Sequence, residues 1–250
     1  MMTREKLMAR SNNRRDLNFS NAVVAAELIE GASSFALHGR NIVFNIGDTV
    51  VEIAGTPRQR IQPLSSTTLI DAVIENAQAM IVIRVRETEG AKDWASTLGW
   101  PRYAETITDP TAEILGLPLY RSPQDDLTEI RLSGAAAMLA GSPETEGMTF
   151  AAKANLWFAP EATDCLIHNL HPFIETHVQI MGVGRMQKFQ TQQRETLTEE
   201  ILMAPGFAQP FFDCTSDSIG GFLYPWHQYY ADTDCIWLAL ELHPFAGSHD

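Results

Sequence analysis

Apolar and polar residues change places in short runs along the second half of the chain, and the pattern predicts strands rather than helices. Residues 154–158, 165–168, 176–181, 185–189, 199–203, 221–224 and 235–242 are each β-type in composition and each bounded by Gly, Pro or polar positions. Strands at this spacing, with no long helix between them, predict a sandwich or barrel. The first half is less regular. Residues 22–29 are helical in composition, while 33–37 and 41–46 are strand-like. Gly47-Asp48 is a hairpin-type turn signal leading into a strand at 49–53. Residues 69–73 fit a short helix or a strand, and 79–85 is the most strand-like run of this half. From 86 to 150, Gly99-Trp100-Pro101, Asp109-Pro110, Leu117-Pro118, Ser122-Pro123 and Ser142-Pro143 punctuate an irregular stretch, with a helix-compatible piece at 135–140. A boundary in 141–147 divides an N-terminal region, 1–150, from a C-terminal barrel, 151–250.

The charge narrows the class. A formal net charge of −13 argues against nucleic acid as partner, because neutralising phosphates needs a basic face. The clustered bases Arg4, Lys6, Arg10, Arg14 and Arg15 fit a solvated, frayed lead-in over residues 1–18 better than a docking arm. No run approaches the roughly 18 apolar residues of a membrane span, and no signal-peptide core opens the chain. Cys165, Cys214 and Cys235 show no CxxC spacing, which fits reduced thiols. The expectation is a cytoplasmic protein without membrane contact.

One stretch carries chemistry. His171, Glu175 and His177 share parity, so on an extended strand they would face one way, and Pro172 suggests a bend that swings His171 towards the others. His227 follows in Tyr224-Pro225-Trp226-His227. Imidazole and carboxylate are the ligands that borderline divalent metals take. Gln179 has the same parity and could orient a substrate or satisfy a buried backbone group. Tyr229, two after His227, could act as an acid or simply pack, as could Tyr224.

The pattern His171-x3-Glu175-x6-Gly182 resembles the second half of the first cupin motif, G-x5-H-x-H-x3,4-E-x6-G. Pro225-Trp226-His227 resembles its second motif, and residues 201–206 are similar to the strand and turn before it. The resemblance covers about residues 154–243. It implies a mainly β fold: a cupin-like double-stranded β-helix barrel, preceded by an N-terminal α+β region or a degenerate second barrel. It also implies one divalent metal ion (Fe²⁺, Zn²⁺, Mn²⁺ or Ni²⁺). The chain departs from the motif at Asn169, where the first His would stand, with His168 one position out of phase. The ligand set is therefore assigned to His171, Glu175, His177 and His227, with His168 in reserve, and Gln179 and Tyr229 as catalytic candidates.

The resemblance further implies a metal-dependent enzyme acting on a small polar molecule, as an oxygenase, isomerase or lyase. The run 171–189 also resembles zinc-binding cupin parts of enzymes that join nitrogen to nitrogen in natural-product pathways. The alternative is a non-enzymatic ligand-binding or sensor cupin with a structural metal. Family analogy implies a homodimer. Arg185 and Lys188 could clamp an anion or sit on the surface, and Cys165 reads as an inert thiol rather than a ligand. His38, His243 and His249 have no partner pattern. No glycine-rich phosphate loop, HExxH or GxSxG is present.

Overall fold

The computed structural model describes residues 12–86, 93–132, 147–216 and 221–245. The expectations for Arg4, Lys6, Arg10, His249, the piece at 135–140 and most of the boundary segment lie outside them. Among the described residues no helix is long and apolar enough to cross a membrane.

The described residues form three antiparallel sheets. The first contains β1 (Asn13–Asp16), β2 (Val24–Ala36), β3 (Arg40–Asn45), β4 (Val51–Ile53), β5 (Gln59–Ile61), β6 (Ser66–Ile70) and β7 (Val73–Val85). Its order is β1-β2-β7-β3-β6, with β4 also on β7 and β5 on β4. A connecting segment follows, with two five-residue helices, α1 (Trp94–Leu98) and α2 (Ala112–Gly116), then β8 (Tyr120–Arg121) and β9 (Asp125–Arg131). The remaining strands are β10 (Thr149–Ala159), β11 (Thr163–Asp164), β12 (His168–His171), β13 (Ile174–Met181), β14 (Gly184–Phe189), β15 (Leu197–Met203), β16 (Thr215–Ser216), β17 (Phe222–Ala231) and β18 (Cys235–Pro244). The second sheet runs β13-β18-β10-β8, with β9 also on β10. The third runs β11-β17-β14-β15, with β12 and β16 on β17.

Side-chain parity explains the layering. On β13, Ile174, Thr176, Val178 and Ile180 point one way, and Glu175, His177 and Gln179 the other, yet all seven are buried. On β18 the same division sets Ile236, Leu238, Leu240 and Leu242 against Trp237, Ala239 and Glu241. The apolar set joins Phe150, Ala154 and Phe158 of β10 and Phe44, Ile81 and Ile83 of the first sheet in one continuous core. The second sheet is thus a middle layer. Its outer face packs on the first sheet, and its inner face looks across a barrel to the third. A smaller core, with Ile29, Val43, Val51, Ile61, Met80 and Val82, fills the far side of the first sheet under β4 and β5.

Several local expectations change. Residues 22–29 are not helical: from Val24 on they belong to β2, which pairs with β7 from Val24↔Val85 to Ala36↔Val73. Their Ala, Glu and Leu favour helix in isolation, but an unbroken antiparallel ladder and burial on both faces outweigh that preference. Gly47-Asp48 is a turn, yet it joins no hairpin. β3 pairs with β6 and β7, and β4 with β5 and β7. Residues 69–73 are neither one helix nor one strand. β6 ends at Ile70, Asp71 turns with φ 46°, and β7 begins at Val73. Within the lead-in, residues 13–16 form β1, and Arg15 pairs at 2.9 Å with the buried carboxylate of Asp125 on β9. Two glycines allow close approach inside the barrel. A Cβ on Gly182 (φ 73°) would meet the Asp234 carbonyl at 2.0 Å, and one on Gly184 the Tyr229 hydroxyl at 2.1 Å.

Candidate metal centre

β12 lies in the third sheet and β13 in the second, and Pro172-Phe173 carries the chain across. His171 and Glu175 therefore face each other from opposite walls rather than along one strand. His171 Nε2 is 3.1 Å from Glu175 Oε1 and 3.3 Å from His227 Nε2, and His227 Nε2 is 3.6 Å from the same carboxylate oxygen. The fourth member is His168. One ligand atom from each of His168, His171, Glu175 and His227 lies within 4.8 Å of all the others.

His168 and His171 have opposite parity, and a regular strand would point them apart. The pairing of β12 with β17 slips between them: His168 faces His227 and Leu170 faces Leu223, so Asn169 stands opposite Tyr224, Pro225 and Trp226 together. Pro225 has no N–H to give the ladder, which is where such a break is tolerated. The break brings both rings to one place, with centroids 4.7 Å apart. His177 sits beside this group. Its Nε2 is 3.6 Å from the other Glu175 oxygen, Oε2. The structure thus gathers the residue held in reserve into the four-donor cluster and sets His177 at its flank, because the alternation rule fails at Asn169.

The donor chemistry fits a cation. His227 Nδ1 lies 2.8 Å from the Pro225 carbonyl and His168 Nδ1 3.0 Å from the Leu166 carbonyl. A carbonyl can only accept, so Nδ1 carries the proton in each ring and Nε2 presents a lone pair to the cluster. Burial lowers the His168 imidazole to about 4, with His227 and His171 adding to the effect. Burial likewise lowers His171 and His177, with Glu175 opposing. Burial pushes the Glu175 carboxyl up, but His171, His177 and His227 outweigh it and hold it below the usual carboxylate range. Neutral imidazole and carboxylate are the forms in which such residues bind metal.

The cluster lines a cavity of about 540 Å³. Tyr229 and Trp237 form part of its wall, stacked with centroids 4.0 Å apart. Gln179 does not reach it. The Gln179 amide donates to the Met181 and Gly182 carbonyls, and its oxygen accepts from the Tyr229 hydroxyl at 2.6 Å. The two catalytic candidates thus tie β13 to β17, with the Gln179 amide holding the turn after β13. Burial raises the Tyr229 phenol well above its ordinary value. Tyr224 also braces the site, accepting from the Glu175 N–H at 3.1 Å. Cys165 lines the cavity, but burial raises its thiol and keeps it protonated. Arg185 and Lys188 are taken by carboxylates: Arg185 by Asp232 at 2.9 Å and Glu200 at 3.2 Å, Lys188 by Glu199 at 3.0 Å.

Two cavity groups have no motif to announce them. Glu241 stands directly opposite Glu175 across β18 and β13 and accepts from Gln124 at 2.8 Å and Asn155 at 3.3 Å. His243 lies 2.8 Å from it, a partner the spacing does not suggest. The available signal was a lone Glu at the parity of Trp237 after the apolar run 235–240. The other is Arg121, at the end of β8 in the punctuated segment.

No family model matches the chain, and no curated protein matches it. Among solved structures, it is similar to a cupin 2 conserved barrel domain protein from Leptotrichia buccalis at 8% identity, covering 97% of this chain and 92% of that one, with a TM-score of 0.29. A mutant of Bacillus subtilis oxalate decarboxylase matches at 10% identity, over 94% and 74%, with a TM-score of 0.31. AerE from Microcystis aeruginosa matches at 9% identity, over 92% and 97%, with a TM-score of 0.30. Identities and TM-scores this low carry neither family nor chemistry across, and the site stands on its own geometry.

Proposed function

We propose that this chain is a cupin-type metal-dependent enzyme that transforms a small molecule inside its barrel. The observation that carries the reading is the four-donor cluster opening on a 540 Å³ cavity, with two imidazoles fixed by backbone carbonyls as Nε2 donors. His168, His171, Glu175 and His227 would hold the ion, in place of the set containing His177. A divalent ion there supplies Lewis acidity, or a position for O₂ if it is redox-active. The protein's own groups do the rest. Glu175 contributes the one negative charge of the set. Tyr224 fixes the start of β13 through its bond to the Glu175 N–H. The Tyr229–Trp237 stack keeps water from one wall, and Glu241 offers a buried carboxylate to accept a proton or a substrate donor.

Elemental analysis tests this directly. One divalent ion per chain is expected in the purified protein, lost in Glu175→Ala and in His227→Ala and retained in His177→Ala. Metal content unchanged in both of the first two variants would falsify the ligand assignment.

A further inference from the structure

Among the described residues, Arg121 is the cation of this cavity, and it is held without a counter-ion. Its guanidinium carbon lies 5.6 Å from the Trp157 ring centre and 5.7 Å from that of Tyr103, and those two rings meet edge to face at 5.1 Å. Aromatic faces position a guanidinium but do not neutralise it. No described carboxylate pairs with Arg121, whereas Arg15, Arg58, Arg185, Arg194 and Lys188 each have one. A half-buried, unpaired guanidinium facing a cavity calls for an anion from outside the protein, and its planar fork matches a carboxylate with two parallel N–H···O bonds.

The placement also sets the occupant's length. Arg121 pairs across the sheet with Trp157, and Trp157 with Trp237, so the three form one row over β8, β10 and β18. Glu241, in the row of Glu175, lies four residues further along β18, about 13 Å at the rise of an antiparallel strand. An occupant that reaches both the guanidinium and the four-donor cluster is therefore on the order of 10 Å long. Its middle would lie against Trp157 and Trp237, stacked at 6.4 Å.

We infer that the cavity takes an elongated carboxylate, its anionic end on Arg121, its apolar or aromatic middle on the Trp157–Trp237 wall, and its far end at the His–Glu cluster. This rests on the reading of the cavity as the site where a small molecule binds. The probes are 4-phenylbutyrate and its neutral counterpart 4-phenylbutanamide, titrated calorimetrically into the purified protein, with metal content measured in the same samples. A charge-assisted pair predicts that the acid binds about ten- to hundredfold more tightly than the amide. Arg121→Gln should abolish that preference and leave amide binding and metal content unchanged, and Arg121→Lys should keep part of it. Equal affinities in the wild type, no binding of either probe, or a preference that survives Arg121→Gln would each overturn the inference. The last result would place the carboxylate on the metal instead. A wild type that lacks metal but shows the Arg121-dependent preference would sink the metalloenzyme reading and support this one.

Discussion

β7 over residues 79–83 and β13 are each buried on both faces, yet they are built differently. Over residues 79–83, β7 offers only apolar side chains, Ala79, Ile81 and Ile83 towards the barrel and Met80 and Val82 towards the smaller core. β13 presents Ile174, Val178 and Ile180 on one side but Glu175, His177 and Gln179 on the other. Buried polar groups occur in both regions and are satisfied in different ways. Asn45 in the first sheet donates to the Thr49 and Ile61 carbonyls and accepts from the Gly47 N–H, so it binds backbone and shapes a loop. In the barrel, His171, Glu175 and His227 face one another. Burying polar groups is costly unless they are paired. Buried donor atoms that face one another in this way suit a partner that would complete the bonding.

Chelation should break the comparison most sharply. With the ion at a thousandfold its Kd, linkage adds about 4 kcal/mol to stability. A chelator should lower the wild-type denaturation midpoint accordingly and leave Glu175→Ala unmoved, and an equal shift in both proteins would sink the assignment. The reverse experiment removes packing from the first sheet. Phe44, fully buried on β3, should cost about 3–5 kcal/mol on truncation to Ala, with the folded protein keeping its full metal content. Metal loss in folded Phe44→Ala would show that the two regions do not act separately.

The smallest effect concerns acid. Burial lowers folded His168 to about 4, below its unfolded value, so the unfolded chain takes up the proton first. The lowered Glu175 carboxyl acts in the same direction. Metal-free protein should thus lose stability as pH falls from about 6.5 towards 4. A shallower slope across that range in His168→Gln than in the wild type is the expected pattern, since His171, His177 and Glu175 keep their share.

Much of the architecture was legible in the chain. The runs of the second half became β10, β13, β14, β15, β17 and β18, because Val, Ile, aromatic and alternating positions suit a half-buried pleat; the run at 165–168 did not, since only His168 of it lies in a strand, β12. β2 was not, since Ala25, Ala26, Glu27 and Leu28 prefer helix until β7 pairs with them. At the site, His171, Glu175 and His227 could be read from spacing, and Pro172 did mark the bend. Glu241 and Arg121 could not. Each stands far from the motif in sequence, and only cross-strand pairing brings them to the cavity. His177 has the right parity, but the neighbouring walls decide which imidazoles converge.

The slip at Asn169 has a wider consequence. Recognition by fixed spacing assumes that the number of residues between two ligands reports their relative direction. Where one residue stands opposite three, that correspondence is lost, while the direction of the side chains is preserved by the shape of the neighbouring strand. Deleting Asn169 would restore the His-x-His spacing, with His168 and His171 on one face of a regular strand. Relatives that share this irregularity would be found by comparing which residues stand across from each other, and would escape any search that measures distance along the chain.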